Sequence, residues 1–123
     1  MGEGMAGAGL ERSMPAEPAA RFESLPLARV AGVEVPVACG ARVRLLGLAF
    51  LELERAGPGL LIPRCASVHT FGMRFELDLV FLDARGRQLA VHRSVGPGRL
   101  VWRRRAAAVL ELPAGESPAL PIH

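Results

Sequence analysis

The sequence predicts an all-β protein, a compact β-sandwich or barrel-like fold carrying one short helix. Three observations lead there. Short β-prone runs recur about every ten positions, with Gly and Pro turn signals between them. From Phe75 to Phe81 apolar and polar residues alternate with the period of two that turns one face of a strand to a core. Only one segment, Ala41 to about Leu53, departs from that period: Val43, Leu46, Leu48 and Phe50 suit a helix whose solvated side carries Arg42 and Arg44. With 123 residues, 50% of them hydrophobic and 22% charged, the chain has the length of one domain and too much apolar content for disorder. Such a chain buries roughly two thirds of its unfolded surface, enough to fold without a metal or disulfide staple.

The elements follow in order. Residues 1–20 are rich in Gly, Ala, Pro and Glu without apolar period and read as a disordered leader, leaving residues 21–123 as a single β-rich domain. Leu27 to Ala31 and Val33 to Ala38, joined at Gly32, form a hairpin in which Pro36 suits a sheet edge. After the helix, the turn from Ala56 to Gly59 leads into a strand from Leu60 to Ile62. In the strand after Arg74, the residues Phe75, Leu77, Leu79 and Phe81 face inward, with Arg74, Glu76 and Asp78 on the other face. A three-residue loop, Ala84 to Gly86, returns the chain as Gln88 to Ser94. That loop pairs Asp83 with Arg87, and counting outward sets Leu79 opposite Val91 and Asp78 opposite His92. The strands Leu100 to Arg103 and Ala107 to Leu112 complete the set.

Charge excludes little. The formal net charge is +3 and all 15 basic residues are arginine, a composition that GC-rich coding favours as much as a basic surface does. The run Arg103 to Arg105 beside Trp102 suits phosphate and base contacts, yet a solvated strand edge explains it equally and the balance argues against nucleic acid. Residues 1–18 lack the apolar run of a secretory signal, and Arg, Glu or Pro interrupts every stretch before the roughly 18 residues of a membrane span. The expectation is a cytoplasmic protein with no membrane span.

The middle of the chain resembles a known family. Gly59 to Pro63, the run Ser67 to Phe75, the strand Leu77 to Asp83 with Gly86, and the box Val109 to Gly115 are similar to the bacterial and archaeal family catalogued as domain of unknown function 192. Arg44, Gly47 and Leu48 match that family's Arg and its Gly and Leu pair. The resemblance implies an all-β, sandwich-like domain with a short helix near Arg44 to Leu48, and no biochemical activity comes with it. The chain departs at His69 to Arg74, where many members carry a Trp, Met, Lys, Asn, Thr string. It also departs at Pro118 to His123, where members continue to a last strand.

Candidate chemistry is sparse. Cys65 and His69 are ligand types four residues apart, but on a strand they lie about 13 Å apart, too far for one metal, so no metal and no cofactor is expected. Cys39 and Cys65 read as buried structural thiols. The polar face of the central strand offers more: Arg74 to hold an anionic or sugar-like ligand, Asp78 to accept its hydroxyls, and His69, Phe71, Trp102 and His92 to wall a shallow cleft. Asp78 beside His92 would also raise the histidine pKa. These residues favour a small-ligand or partner-binding module without catalysis, the partner an unknown small molecule or protein. The alternatives are a hydrolase-type enzyme using a His69/Asp78 cleft, or an accessory subunit of a larger assembly.

Overall fold

The computed structural model describes residues 20–115, which are mostly strands in antiparallel sheets with one short helix. A 3-10 turn, Ala20–Phe22, opens them; the rest of the leader and the Pro118 to His123 tail lie outside the described residues. The strands are β1 (Leu27–Val30), β2 (Val33–Pro36), β3 (Leu60–Pro63), β4 (Ser67–His69), β5 (Leu77–Leu82), β6 (Gln88–Val95), β7 (Leu100–Trp102) and β8 (Ala108–Pro113). A four-stranded sheet in the order β3-β8-β5-β6 forms the centre, and two-stranded ribbons β1-β2 and β4-β7 flank it. The sheets are not closed into a barrel.

The central sheet is covered on both faces, which is why every residue of β5 is buried. On one face Leu77, Leu79, Phe81 and Val109 pack with Leu48, Leu60, Ile62 and Val68. On the other, Val80, Leu82, Leu110 and Leu112 pack against Val35 of the β1-β2 hairpin, with Val30 and Val33 beside it. Each fully buried Leu or Phe contributes roughly 1.5–3 kcal/mol, so these two clusters are the main source of stability. The polar face expected of the Phe75 to Phe81 segment is therefore corrected. Arg74 and Glu76 precede the strand and are exposed, while Asp78 is 1% exposed and turned into the second cluster's side of the sheet.

The β5-β6 loop has the expected form: Asp83 N–H donates to Arg87 O, and Gly86, at φ 79°, donates to Asp83 O. The register beyond it does not. Leu82 pairs with Gln88, but Phe81 pairs with Ala90, Val80 with Val91 and Leu79 with His92. Leu89 is the extra residue of a β-bulge, and the bulge lets Leu89 and Ala90 both pack on the first core cluster. One inserted residue shifts every later partner, so His92 sits opposite Leu79 rather than Asp78. A second irregularity near Asp78 ends with Leu77 opposite Val95, and there the Asp78 carboxylate accepts the backbone N–H of Ser94 at 2.8 Å. Its other oxygen accepts from Gly115 N–H at 3.3 Å.

Helix α1 spans Ala41–Leu46, shorter than the Ala41 to Leu53 segment the sequence suggests. Gly47 stops it, with φ 52° and its N–H donating to Val43 O. Phe50 then adopts φ 65°, and only a single 3-10 turn, Leu53–Arg55, follows.

Replacing Asp78 with Ala leaves two backbone donors without their acceptor and should lower unfolding free energy by about 2–4 kcal/mol. Arg74 forms an exposed 2.7 Å ion pair with Glu52, and Arg74→Ala should cost less than about 1 kcal/mol. Urea denaturation of both variants checks the contrast; equal losses would overturn this account of the strand.

Candidate functional site

The structure separates the residues that the sequence groups into one cleft. Asp78 lies on the sheet face shared with Leu112 and Val80, whereas Leu79, and His92 opposite it, point to the other. His92 packs edge-on against Phe81, ring centroids 5.6 Å apart. Burial, and behind it the charge of Arg103, lower the His92 pKa below its ordinary 6.5; the expected rise is reversed because Asp78 is not its neighbour. Arg74 is occupied by Glu52. Trp102 is 63% exposed on the outer face of the β4-β7 ribbon, opposite Ser67.

Two predicted residues do come together. His69 and Phe71 stack with centroids 5.5 Å apart. His69 is paired with Leu100 in the ribbon, whose inner face, Val68 and Val101, packs on the core. His69 Nε2 lies 3.2 Å from Leu45 O. A carbonyl only accepts, so Nε2 carries the proton, and in the neutral ring Nδ1 is a bare acceptor. That Nδ1 is buried and has no hydrogen-bond partner among the described residues.

His69 lines a cavity of about 170 Å³ together with Arg44, Cys65, Met73 and Glu111. Glu111 is the candidate site residue the sequence reading missed. It sits in β8 between Leu110 and Leu112, and strand alternation turns it toward the first core cluster while its neighbours fill the second. No cation pairs with it among the described residues. Burial raises its pKa to about 7, opposed in part by a hydrogen bond from Leu48 N–H, and Oε1 has no partner. Gly47 makes this approach possible, since a Cβ there would stand 2.7 Å from Oε1. Arg44 donates to the carbonyls of Pro63 and Arg64 and so holds α1 over the β3-β4 connection. The signal available in the sequence was a lone acid in the apolar run Val109 to Pro113.

Cys65 is half-buried, with Sγ donating to Ser67 O at 3.0 Å, whereas Cys39 is exposed, against the expectation of a buried thiol. Among the described residues no group of three His, Cys, Asp or Glu side chains could hold a metal ion. None of their helices is long and apolar enough to cross a membrane.

Fold and cavity together define a class: small antiparallel β proteins with an open central sheet and a largely apolar pocket, lined in part by Arg44, His69 and Glu111, between that sheet and a short helix. The chain belongs to the DUF192 family, described as uncharacterized ACR, whose model matches residues 27–123. No curated protein is significantly similar to it. A solved structure from Sinorhizobium meliloti 1021, described as a candidate transcription regulator, is similar with TM-score 0.57 and 23% identity, over 73% of this chain and 78% of that one. A protein of unknown function from Novosphingobium aromaticivorans DSM 12444 is similar with TM-score 0.54 and 18% identity, over 81% of this chain and 88% of that one. These likenesses show the fold.

A carboxyl group whose pKa is higher folded than unfolded favours the fold below the unfolded value and loses that contribution as pH rises through the folded value. For Glu111 the window runs from its ordinary 4.5 to about 7, and the loss is at most about 3 kcal/mol. His92, shifted downward, acts in the opposite sense, adding stability as pH rises. The difference between wild type and Glu111→Gln isolates the carboxyl. Urea unfolding at pH 5, 6, 7 and 8 should show wild type losing stability relative to the variant as pH rises; a constant difference would contradict the assignment.

Proposed function

We propose that this chain is a small-ligand-binding module without catalysis, its ligand a neutral, hydroxyl-bearing molecule of the sugar or polyol type held between Glu111 and His69. One observation carries the reading: Glu111 and His69 line one cavity, and each carries a buried polar atom, Oε1 and Nδ1, without a hydrogen-bond partner among the described residues. An unsatisfied buried polar group costs about 1–3 kcal/mol, and native structures rarely tolerate two at one place. The cavity, about 170 Å³, exceeds by several-fold the roughly 30 Å³ that one water occupies. Hydroxyl groups suit it because each can donate to the bare Nδ1 and either donate to or accept from a carboxyl that titrates near neutrality. An anionic ligand fits less well, since its charge would lie against a buried acid. Leu45, Leu46, Ile62, Val68 and Met73 supply the cavity's apolar wall.

A second reading rests on a different observation. Leu100 and Trp102 share the outer ribbon face with His69, and both are exposed, as is Phe71 stacked on that histidine. Such an apolar rim supports a protein-partner surface of the kind an accessory subunit carries. The hydrolase reading loses its support, because Asp78 and the cavity holding His69 lie on opposite faces of the sheet.

A thermal-shift screen against monosaccharides, polyols, carboxylates and amines tests the first reading. A binder present at 100 times its Kd stabilises by about 2.7 kcal/mol. A sugar or polyol should raise the midpoint of wild type, and His69→Ala should abolish that rise; a panel in which only charged compounds act would overturn the reading.

A further inference from the structure

We propose that the turn after β7 forms a binding site for a small phosphate-bearing ligand, with Arg103, Arg104 and Arg105 as its anion-holding residues and Leu89 as its apolar floor. These four residues line one concavity of about 250 Å³, distinct from the Glu111 cavity. The strand ends at Trp102, so the alternation that would point consecutive arginines to opposite faces does not apply to the run. Instead the turn brings all three arginines to the lining of one concavity.

Three like charges on consecutive exposed residues oppose one another electrostatically. Surface arginines are commonly interleaved with acids, but among the described residues none of these three forms an ion pair. The charge is felt nearby: Arg103 is one cause of the lowered pKa of His92. The backbone underneath is fixed at both ends. Arg103 N–H donates to Ala66 O at 2.9 Å, Ala106 N–H to Arg103 O at 3.1 Å, and Ala107 N–H to Leu82 O at 2.7 Å. The backbone that carries the three arginines is thus held in place, and ordering on binding falls on their exposed side chains.

The chemistry selects phosphate. A planar guanidinium offers paired N–H donors that match two phosphate oxygens, and three of them outweigh the single charge of a carboxylate. The volume suits a diphosphate or a small phosphate ester. The β-bulge gives Leu89 its place, since that extra residue of β6 both packs on the core and lines the concavity.

Isothermal titration of the full chain with pyrophosphate and with inorganic phosphate tests the proposal, beside a variant carrying Arg103→Gln, Arg104→Gln and Arg105→Gln. A control removes equal charge elsewhere through Arg42→Gln, Arg55→Gln and Arg64→Gln. Pyrophosphate should bind one per chain and more tightly than phosphate, at least about tenfold weaker in the turn variant and within about twofold of wild type in the control. The His92 ring resonances report independently: bound pyrophosphate offsets the Arg103 charge, and the His92 titration should move upward. Equal weakening in both variants, an unmoved His92, or affinity only for single-stranded DNA that grows with its length would each overturn the proposal and leave diffuse electrostatics in its place.

Discussion

A carboxyl group stands in the middle of a central strand with no counter-charge among the described residues, and the end of the helix on that side of the sheet approaches it closely. Strand β8 pairs with β3 on one edge and β5 on the other, so its register is held from both sides. Leu110 and Leu112 fill the core against the hairpin, which obliges Glu111 to face the opposite core. A one-residue slip would expose Glu111 to the hairpin side and unpack both leucines. The acid is thus fixed by its neighbours, and donors must be brought to it. They come from the end of α1, where Gly47 removes the side chain that would collide and Leu48 presents its N–H.

The two buried acids of the sheet are handled differently, and the difference separates scaffold from site. Asp78 accepts Ser94 N–H and Gly115 N–H and lies 3.7 Å from the Arg93 guanidinium, so both its oxygens are used. It ties the irregular end of β6 to the end of β8. Glu111 keeps one oxygen, and His69 on the same cavity keeps one ring nitrogen, without a partner among the described residues. Complete satisfaction accounts for Asp78 as structure, whereas the open valences at Glu111 and His69 call for something to complete them.

The local rules of the chain were legible because they depend on few residues. The β1-β2 hairpin, the β5-β6 loop with Gly86, seven of the eight strands and the helix start at Ala41 follow from alternation and turn chemistry, whereas β4 (Ser67–His69) was missed, three residues being too short to show a period. The long-range decisions were not. The bulge at Leu89 depends on how two side chains fill the core, information that the local pattern lacks, and it alone moved His92 away from Asp78. Asp78 read as part of a polar strand face lining a cleft because alternation assigns it a face but cannot say that the hairpin covers that face. Thr70, polar and fully buried, escaped notice for a similar reason. Its hydroxyl accepts Arg99 N–H and donates to Gly96 O, so its partners belong to a distant loop.

Arg44, Gly47, Leu48 and Glu111, which carry part of the family resemblance, were scattered along the sequence without an assigned role. In the fold they meet: Arg44 and Glu111 line the cavity, and Gly47 and Leu48 touch the Glu111 carboxyl. None of them would be singled out by chemistry alone, since each has an ordinary use in a helix or strand. Their convergence on an acid with an unused oxygen distinguishes this cavity from other concavities of the surface. The groove between Phe22, Leu27 and Pro58 is larger, at about 240 Å³, but its lining brings no buried unpartnered polar atom to it. Size therefore does not select the site; the unmet hydrogen-bonding capacity of groups that cannot reach bulk water does.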